Sequence, residues 1–231
     1  MNILHPHMVA TVALLMAMTY LIAGIPFGKI IAQGLGVDIT RVGSKNIGST
    51  NVARVLGKQA AAATLTLDAA KGYLSLFVSY RILSEVLHMP MDAFLPTGQY
   101  AAITGLFFLA AVLGHIFSVY LGFKGGKGIA VSIGACLSFS PTLALILLLI
   151  WLIILIPTKL ISLASVVSAC AFPCITALLY SPVNAAFEAS CCISALAVLF
   201  AHRSNIVRLF NGREQRFKFA QGKQFIKRQD R

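Results

Sequence analysis

Four short polar segments hold the residues whose types and spacing could do chemistry in this chain. The first is the twelve-residue run GSKNIGSTNVAR, from Gly43 to Arg54, which combines hydroxyls, amides, glycines and two cations. Glycines allow backbone N–H groups to approach a ligand closely, and the planar guanidinium of Arg54 matches the oxygens of a phosphate. The neutral hydrogen-bonding side chains of the run include Ser44, Asn46, Thr50 and Asn51. The segment therefore predicts a phosphate site at the N-terminus of the second membrane helix, which it is expected to enter directly.

The second segment is a glycine-rich turn, GFKGGKG, from Gly122 to Gly128. Its glycine spacing differs from that of a Walker A loop, and no Ser or Thr follows the second lysine. A turn of this kind, with two lysines and a helix after it, could still cradle a phosphate. A flexible turn with lysines on the cytoplasmic side explains the same residues, so the segment alone leaves both interpretations open.

Two further polar segments lie near the ends of later apolar runs. One extends from His202 to Glu214, begins where the last apolar run ends, and carries Asn205 among its cations. The other is the short SLAS element from Ser162 to Ser165. Neither is specific by itself, but both share the hydroxyl, amide and cationic composition of the first two segments.

Two charged residues interrupt the second apolar run. Asp68 and Lys71 are three positions apart, so both lie on one face of a helix. Charges inside membrane helices usually pair with each other or face the bundle interior. An ion pair that fixes helix packing and a polar wall of the site are both consistent with this spacing. The single histidine of the third run, His115, is interpreted as a packing residue.

Composition assigns the chain to the membrane proteins. Of its 231 residues, 58% are hydrophobic and 11% are charged, against about 25% charged in a typical soluble domain. The net charge of +12 flanks the apolar runs, as cytoplasmic loops of a membrane protein require, so no nucleic-acid partner is expected. The five cysteines fit neither a zinc site nor a disulfide framework. We expect buried free thiols, no metal and no cofactor.

Seven apolar runs predict an all-α polytopic membrane protein. They cover residues 8–28, 58–80, 99–121, 127–140, 142–157, 160–180 and 184–202. The fourth and fifth runs are short and meet at Ser140-Pro141, which predicts a tight helical hairpin or a partly re-entrant pair. Because the first run has no basic region before it and no cleavage site after it, we expect it to remain as the first helix.

The distribution of cations predicts the orientation in the membrane. With the N-terminus outside, seventeen of the nineteen Lys and Arg residues fall on the cytoplasmic side, together with the C-terminus. All four polar segments then lie on that side. The chain divides into a membrane domain, 1–202, and a basic cytoplasmic segment, 203–231, which carries the last motif. This segment, with four interleaved phenylalanines, is expected to rest on anionic lipid headgroups.

The polar segments resemble the motifs of the bacterial acyl-phosphate:glycerol-3-phosphate acyltransferases, a seven-helix membrane family. The family patterns G-S-G-N-x-G-A-T-N-x-x-R, F-K-G-G-K-G, S-L-x-S and H-R-x-N-I-x-R-L-x-x-G-x-E are matched in order between Gly43 and Glu214. The resemblance implies transfer of a fatty acyl group from acyl phosphate to the 1-hydroxyl of glycerol 3-phosphate, with lysophosphatidic acid and phosphate as products. It also implies a role in phospholipid biosynthesis and an active site on the cytoplasmic face of the bacterial inner membrane.

The resemblance further implies which residues form the site. The catalytic candidates are Ser44, Arg54, Lys124, Lys127, His202 and Asn205. The substrate-binding candidates are Asn46, Thr50, Asn51, Gly125, Gly126, Ser162, Ser165 and Glu214. The choice within each lysine and serine pair stays open, as do the acyl-chain preference and the oligomeric state. For the general base, His202 and a phosphate of the substrate are both candidates.

The chain departs from the family pattern at Lys45, where the family has glycine. A lysine argues against a positive φ at this position. The main alternative to an enzyme is a membrane transporter of an organic phosphate or another anion, which would also use cationic loops. Such transporters often contain two matching halves with helices broken near the midplane. This chain has no evident matching halves, and its polar motifs lie at one face.

Overall fold

Helices make up most of the computed structural model, which describes residues 6–88 and 90–217. Within these ranges the chain forms ten α-helices, two 3-10 turns and no strand. The α-helices are α1 (Pro6–Gly24), α2 (Phe27–Gly34), α3 (Ser49–Leu56), α4 (Lys58–Leu87), α5 (Ala101–Ile116), α6 (Ile129–Phe139), α7 (Pro141–Thr158), α8 (Ile161–Leu179), α9 (Ala185–Ala201) and α10 (Arg203–Phe210). The predicted all-α fold is confirmed for these residues. Residues 218–231 of the predicted basic segment, 203–231, lie outside them.

Helix α5 lies at the centre of the bundle. It packs on α1, α4, α6 and α9, and most of its side chains are buried, among them Phe107, Phe108 and Val112. A helix that is apolar around its whole circumference must be covered on every side. The end of α5 therefore provides a rigid support for the glycine-rich turn that follows it.

A close helix contact joins α4 to α6. A Cβ atom on Gly72 would lie 2.3 Å from the carbonyl oxygen of Val131, and one on Gly134 would lie 1.9 Å from the carbonyl oxygen of Ala69. Small residues allow membrane helices to approach at such distances. This contact fixes the position of α6, and with it the end of the glycine-rich turn that leads into α6.

Four helical stretches of the described chain are long and apolar enough to cross a membrane, namely His7–Gly34, Ala101–Leu121, α7 and α8. A fifth is obtained if α9 and α10, which meet at a bend of 64°, are taken as one broken span. Each of the seven predicted apolar runs contains a helix, but two of these helices fall outside this group. In α4, Asp68 and Lys71 lie in the middle of the apolar stretch and lower its mean hydropathy. Helix α6 has only 11 residues.

The first polar segment does not run directly into the second membrane helix, contrary to the prediction. It ends in the short helix α3, and Gly57, at φ 92°, separates α3 from α4. Glycine adopts this φ without the clash that a Cβ would cause, so the chain turns between the two helices. A second difference is that α5 ends at Ile116 rather than near 121, and Val119–Leu121 forms a 3-10 turn.

Helices α6 and α7 meet at a single residue, Ser140. Its hydroxyl accepts a hydrogen bond of 3.0 Å from the backbone N–H of Leu143, and Pro141 occupies the first position of α7. A serine cap followed by proline is a strong start for a helix. Helix α6 is about 16 Å long, since each residue adds about 1.5 Å, which is about half of the hydrocarbon thickness.

The cysteines are free, as expected, but only two of them are buried. Cys136 and Cys191 lie in the core, whereas Cys170, Cys174 and Cys192 are exposed. The prediction that all five are buried is therefore wrong. The exposed three lie on the outer surface of α8 and α9, where a small thiol suits a lipid environment. No group of His, Cys, Asp or Glu side chains in the described ranges is arranged to hold a metal ion.

Candidate active site

A cavity of about 440 Å³ lies where the polar segments meet. Of the predicted site residues, those that line it are Ser44, Asn46, Thr50, Asn51, Arg54, Lys127, Ser162, Ser165, His202, Asn205 and Glu214. Lys124, Gly125 and Gly126 do not line it. Folding thus brings four segments that are far apart in the sequence to one polar cavity, which we call the headgroup cavity.

Asn51 organises the first polar segment. Its side-chain amide donates to the backbone carbonyls of Ile39, Val42 and Asn46 at 3.3, 3.1 and 2.9 Å. Its Oδ1 accepts a hydrogen bond of 2.8 Å from the backbone N–H of Ser44. Both amide hydrogens are then used within the loop. Asn51 therefore holds Ser44 at the cavity wall rather than offering its own amide to a ligand.

The N-terminus of α3 faces the headgroup cavity. Gly48, Ser49 and Thr50 line the cavity, and the Asn46 side chain accepts a hydrogen bond of 2.9 Å from the N–H of Gly48. The first N–H groups of a helix have no partner within the helix and attract anions. Arg54, one turn further along α3, also lines the cavity. Together they form a wall suited to a phosphate group.

Lys45 adopts a φ of 59°, so the expectation that a lysine here excludes a positive φ is wrong. Its backbone N–H donates to the carbonyl of Val42 at 3.0 Å, which closes a tight turn. The hydrogen bonds of the loop hold this conformation despite a cost of about 1–2 kcal/mol for a residue with a Cβ. The Lys45 side chain is exposed and does not line the cavity.

The glycine-rich turn is packed against the end of α5. The N–H groups of Gly125 and Gly126 donate to the carbonyls of Ile116 and His115 at 2.9 and 3.0 Å. These two N–H groups therefore complete the C-terminus of α5 instead of cradling a phosphate. A Cβ on Gly126 would lie 2.0 Å from Nε2 of His115, so only glycine fits against the imidazole.

The two lysines of the turn have different positions. Lys127 follows the packed Gly126 and lines the headgroup cavity, whereas Lys124 is exposed outside it. Burial, together with the positive charges of Arg208 and Arg54, lowers the pKa of Lys127 to about 8, although Glu214 opposes the shift. Burial also lowers the pKa of Arg54. An arrangement that disfavours these cations in the unliganded protein favours the binding of an anion.

The last polar segment folds back onto the cavity through Glu214. One carboxylate oxygen accepts from the Asn205 amide and the other from Nε of Arg208, both at 2.7 Å. Burial acts to raise the pKa of Glu214, but the hydrogen bonds outweigh it and the pKa lies below its ordinary value. Because the amide nitrogen of Asn205 points to the carboxylate, its Oδ1 is left buried without a protein partner among the described residues.

His202 lies at the bend between α9 and α10 and is almost fully buried. Its Nδ1 is 2.9 Å from the carbonyl oxygen of Val198. Burial favours the neutral form of the ring. A carbonyl oxygen can only accept, so the proton is on Nδ1 and Nε2 carries a lone pair.

The serines of the SLAS element have different partners. Ser165 accepts a hydrogen bond of 3.2 Å from the indole nitrogen of Trp151, in α7. The buried hydroxyl of Ser162 makes no hydrogen bond of good geometry in the described parts of the chain, but it lies close enough to Glu214 to help lower the pKa of that carboxyl. Ser162 therefore lies beside Glu214, where its hydroxyl can donate to the carboxylate or to a ligand in the headgroup cavity.

A second cavity, of about 650 Å³, adjoins the first and is almost entirely apolar. Its walls come from α4 to α9, and they include Leu74, Leu137, Leu148 and Phe172. Four residues line both cavities, namely Leu65, Ile129, Ala130 and Trp151. We call the second cavity the acyl groove, since its shape and apolar walls suit a hydrocarbon chain.

Sequence reasoning assigned other roles to some residues of the cavity wall and missed others. Asp68, His115 and Arg208 all line the headgroup cavity. The ion pair expected of Asp68 and Lys71 is confirmed, since Asp68 contacts the Lys71 ammonium at 2.8 Å. The ammonium also donates to the Ile25 carbonyl at the break between α1 and α2. His115 lies shortly before the glycine-rich turn and Arg208 lies within the last polar segment. These positions in the sequence could have identified both residues as candidates for the cavity wall.

Proteins similar to this chain share one name. A family profile described as glycerol-3-phosphate acyltransferase matches residues 13–212. A protein of that name from Neisseria meningitidis serogroup C (strain 053442) is 42% identical over 201 residues, which cover 87% of this chain and 94% of the relative. One from Aquifex aeolicus (strain VF5) is 39% identical over 208 residues, 88% of this chain and 97% of the relative.

The fold is similar to two crystal structures of PlsY (YgiH), described as an integral membrane glycerol 3-phosphate acyltransferase. The glycerol 3-phosphate form has a TM-score of 0.77 and 33% identity, over 90% of this chain and 96% of the other. The lysophosphatidic acid form has a TM-score of 0.75 and 32% identity, over 91% and 97%. This chain is therefore an α-helical membrane protein that belongs to the glycerol-3-phosphate acyltransferase family.

Proposed function

We propose that this protein transfers a fatty acyl group from acyl phosphate to the 1-hydroxyl of glycerol 3-phosphate. The products are 1-acylglycerol 3-phosphate (lysophosphatidic acid) and inorganic phosphate, and the reaction belongs to phospholipid biosynthesis. The observation that carries the proposal is the junction of a cationic headgroup cavity with an apolar groove. One substrate is small and anionic and the other ends in a hydrocarbon chain, so a site for both requires such a junction.

The proposed orientation has about seven membrane spans, with the N-terminus outside and the C-terminus in the cytoplasm. The distribution of Lys and Arg supports it, and α6 with α7 would form the short hairpin. In this orientation the protein is a multi-pass protein of the bacterial inner membrane, and the headgroup cavity opens to the cytoplasm. The proposed division remains a membrane domain, 1–202, and a basic segment, 203–231, which supplies Asn205 and Glu214 to the cavity.

Three cations bind the phosphate groups of the two substrates in this proposal. Arg54, Lys127 and Arg208 line the cavity, and the N-terminus of α3 adds N–H donors that favour anions. Glu214 already binds the Nε of Arg208, which leaves the outer guanidinium nitrogens available to a ligand. Holding two substrates in a reactive geometry is itself a large contribution to catalysis.

The proposed reaction forms one C–O bond and breaks another. The 1-hydroxyl oxygen of glycerol 3-phosphate attacks the acyl carbonyl carbon, and the bond from that carbon to the phosphate oxygen breaks. Arg54 and Lys127 stabilise the negative charge on the carbonyl oxygen and on the departing phosphate. Phosphate is a good leaving group, so no acyl-enzyme is required. Ser44 and Ser162 then act as hydrogen-bond donors rather than as nucleophiles.

The proton of the attacking hydroxyl passes to the departing phosphate in this proposal. The hydroxyl donates its one hydrogen to an oxygen of that phosphate, which becomes more basic as the bond to the acyl carbon breaks. Burial disfavours a charged His202 ring, so the phosphate is the better base of the two candidates. His202 then acts as a neutral wall of the cavity beside the reacting groups.

Purified protein in detergent, supplied with acyl phosphate and glycerol 3-phosphate, tests this function directly. We expect lysophosphatidic acid and inorganic phosphate in equal amounts, measured by thin-layer chromatography and a phosphate assay. A parallel reaction with acyl-CoA identifies the donor. A transporter of organic phosphates would leave both substrates unchanged, and that result would overturn the proposal.

A further inference from the structure

Trp151 lies at the boundary between the headgroup cavity and the acyl groove, and it lines both. It is the one tryptophan among the 231 residues and sits within the strongly apolar helix α7. The other residues shared by the two cavities are aliphatic. Trp151 is therefore the largest side chain at the boundary and the one with a polar atom beyond its backbone.

A hydrogen bond between helices fixes the orientation of this ring. The indole N–H of Trp151 donates to the hydroxyl of Ser165 in α8 at 3.2 Å, and Ser165 is buried. An indole N–H in apolar surroundings needs a partner, and the neighbours of Trp151 along α7 have only aliphatic side chains. The bond thus holds a flat apolar surface at the mouth of the groove.

We propose that Trp151, oriented by Ser165, is a positioning residue that determines how far an acyl chain enters the groove. The inference rests on the proposed acyl transfer. The reacting carbonyl must stay in the headgroup cavity while the chain lies in the groove, so the boundary sets which methylene is the first to be buried. The groove is finite, so a donor longer than the groove leaves methylenes outside it, whereas a shorter donor does not. A boundary that shifts by one methylene therefore changes the two affinities unequally, by about fourfold for each methylene.

Intrinsic fluorescence tests the location of Trp151 without turnover. Indole emission moves to shorter wavelength when lipid replaces water around the ring. In wild-type protein, lysophosphatidic acid should cause such a shift that saturates with concentration, whereas glycerol 3-phosphate alone should cause none. In Ser165→Ala the shift should be smaller, because the ring is no longer held at the boundary. Equal responses to both ligands, or an unchanged shift in Ser165→Ala, would overturn the proposal.

A buried serine elsewhere provides the matched control. Ser190, in α9, bonds the Ala186 carbonyl of its own helix at 3.0 Å and lines neither cavity. Ser190→Ala makes the same chemical change at similar burial and should leave the emission shift at its wild-type value. A shift lost equally in Ser190→Ala and Ser165→Ala would mean a general loss of packing and would reject the role of the hydrogen bond.

Chain-length selectivity tests the positioning role itself. We expect Ser165→Ala and Trp151→Phe to change the ratio of kcat/KM between donors of twelve and eighteen carbons by at least about fourfold. The KM for glycerol 3-phosphate should stay within about twofold. Equal losses with all donors would indicate a structural role and overturn the inference. If wild-type protein turns over no acyl phosphate, the proposed function fails, while the fluorescence result still reports on the boundary.

Discussion

The headgroup cavity and the acyl groove adjoin each other but are built in opposite ways. In the cavity, polar side chains are held by specific partners, as when Glu214 binds both Asn205 and Arg208. In the groove, the walls are apolar faces of six helices that contribute shape and little else. Substitutions in the cavity should therefore cause large losses of activity, whereas substitutions in the groove should cause small and graded changes of preference.

The largest effect is expected from Arg54→Ala. Loss of a donor that stabilises charge in a transition state costs about 2.7–4 kcal/mol, so kcat/KM should fall by roughly 10²-fold or more. Steady-state kinetics in detergent measures it. Arg41→Ala is the matched control, because its side chain is 85% exposed and pairs with Asp38 at 3.0 Å. Near-normal activity of a folded Arg54→Ala protein would exclude Arg54 from the reaction.

Substitutions of the two lysines of the glycine-rich turn should differ strongly in their effect on kcat/KM. Lys127→Met should lower kcat/KM by about tenfold to a hundredfold, since a hydrogen bond to a charged group contributes about 1.5–3 kcal/mol. Lys124→Met should stay within about twofold, because this exposed ammonium lies outside the cavity. Parallel kinetics of the two variants measure the difference. Equal losses would contradict the cavity geometry.

The pH dependence of kcat/KM should also show that Lys127 acts as a cation in the site. A lysine is cationic below its pKa, and the pKa of Lys127 is about 8. If the cation binds phosphate, kcat/KM must fall as pH rises through about 8. In Lys127→Arg the descending limb should move to higher pH, because arginine stays protonated. A limb that stays in place in this variant would assign the titration to another group.

A smaller and selective effect is expected in the groove. Ala195→Leu adds bulk to a buried position of the groove wall on α9 and should displace one or two methylenes, each of which contributes about 0.8 kcal/mol. We expect kcat/KM for long donors to fall by about fourfold to fifteenfold relative to short ones. Cys192→Leu is the control, since it adds bulk on the exposed face of the same helix. A change in KM for glycerol 3-phosphate would contradict the separation of the two regions.

The smallest effect concerns stability rather than activity. Lys45→Gly relieves a positive φ that costs about 1–2 kcal/mol, and the greater freedom of glycine in the unfolded chain offsets about 0.4–1 kcal/mol of that gain. Thermal unfolding should therefore show an increase of at most about 1.6 kcal/mol in the free energy of unfolding, with activity within about twofold. Arg41→Gly, where φ is not positive, should give no increase. A large loss of activity in Lys45→Gly would assign the lysine to the site.

The difference between the polar headgroup cavity and the apolar acyl groove also explains which parts of the site could be predicted from the sequence. Polar residues in an apolar chain are conspicuous, so Ser44, Arg54, Asn205 and Glu214 could be picked out and assigned to one side from charge alone. The length of the apolar runs predicted the helix found in each run, but not the short helices α2, α3 and α10. The apolar groove could not be predicted, because the residues that line it resemble those that face lipid or the core.

Local geometry was also beyond the sequence. The break between α3 and α4 depends on the positive φ of Gly57, which a glycine permits but does not require. The choice of Lys127 over Lys124 depends on the packing of Gly126 against His115, a contact between segments that periodicity does not report. The partners of Ser165 and of Asp68 likewise come from other helices or turns, and only the fold identifies them.

Because Glu214 lines the headgroup cavity, the cavity becomes complete only late in the synthesis of the protein on the ribosome. A nascent chain that has inserted its first eight helices already contains Arg54 and Lys127, but the wall formed by His202, Asn205 and Glu214 has not yet left the ribosome. The two cations then lack the carboxylate that balances them. Activity should therefore begin only when translation is nearly finished, which prevents a half-made enzyme from consuming its reactive donor.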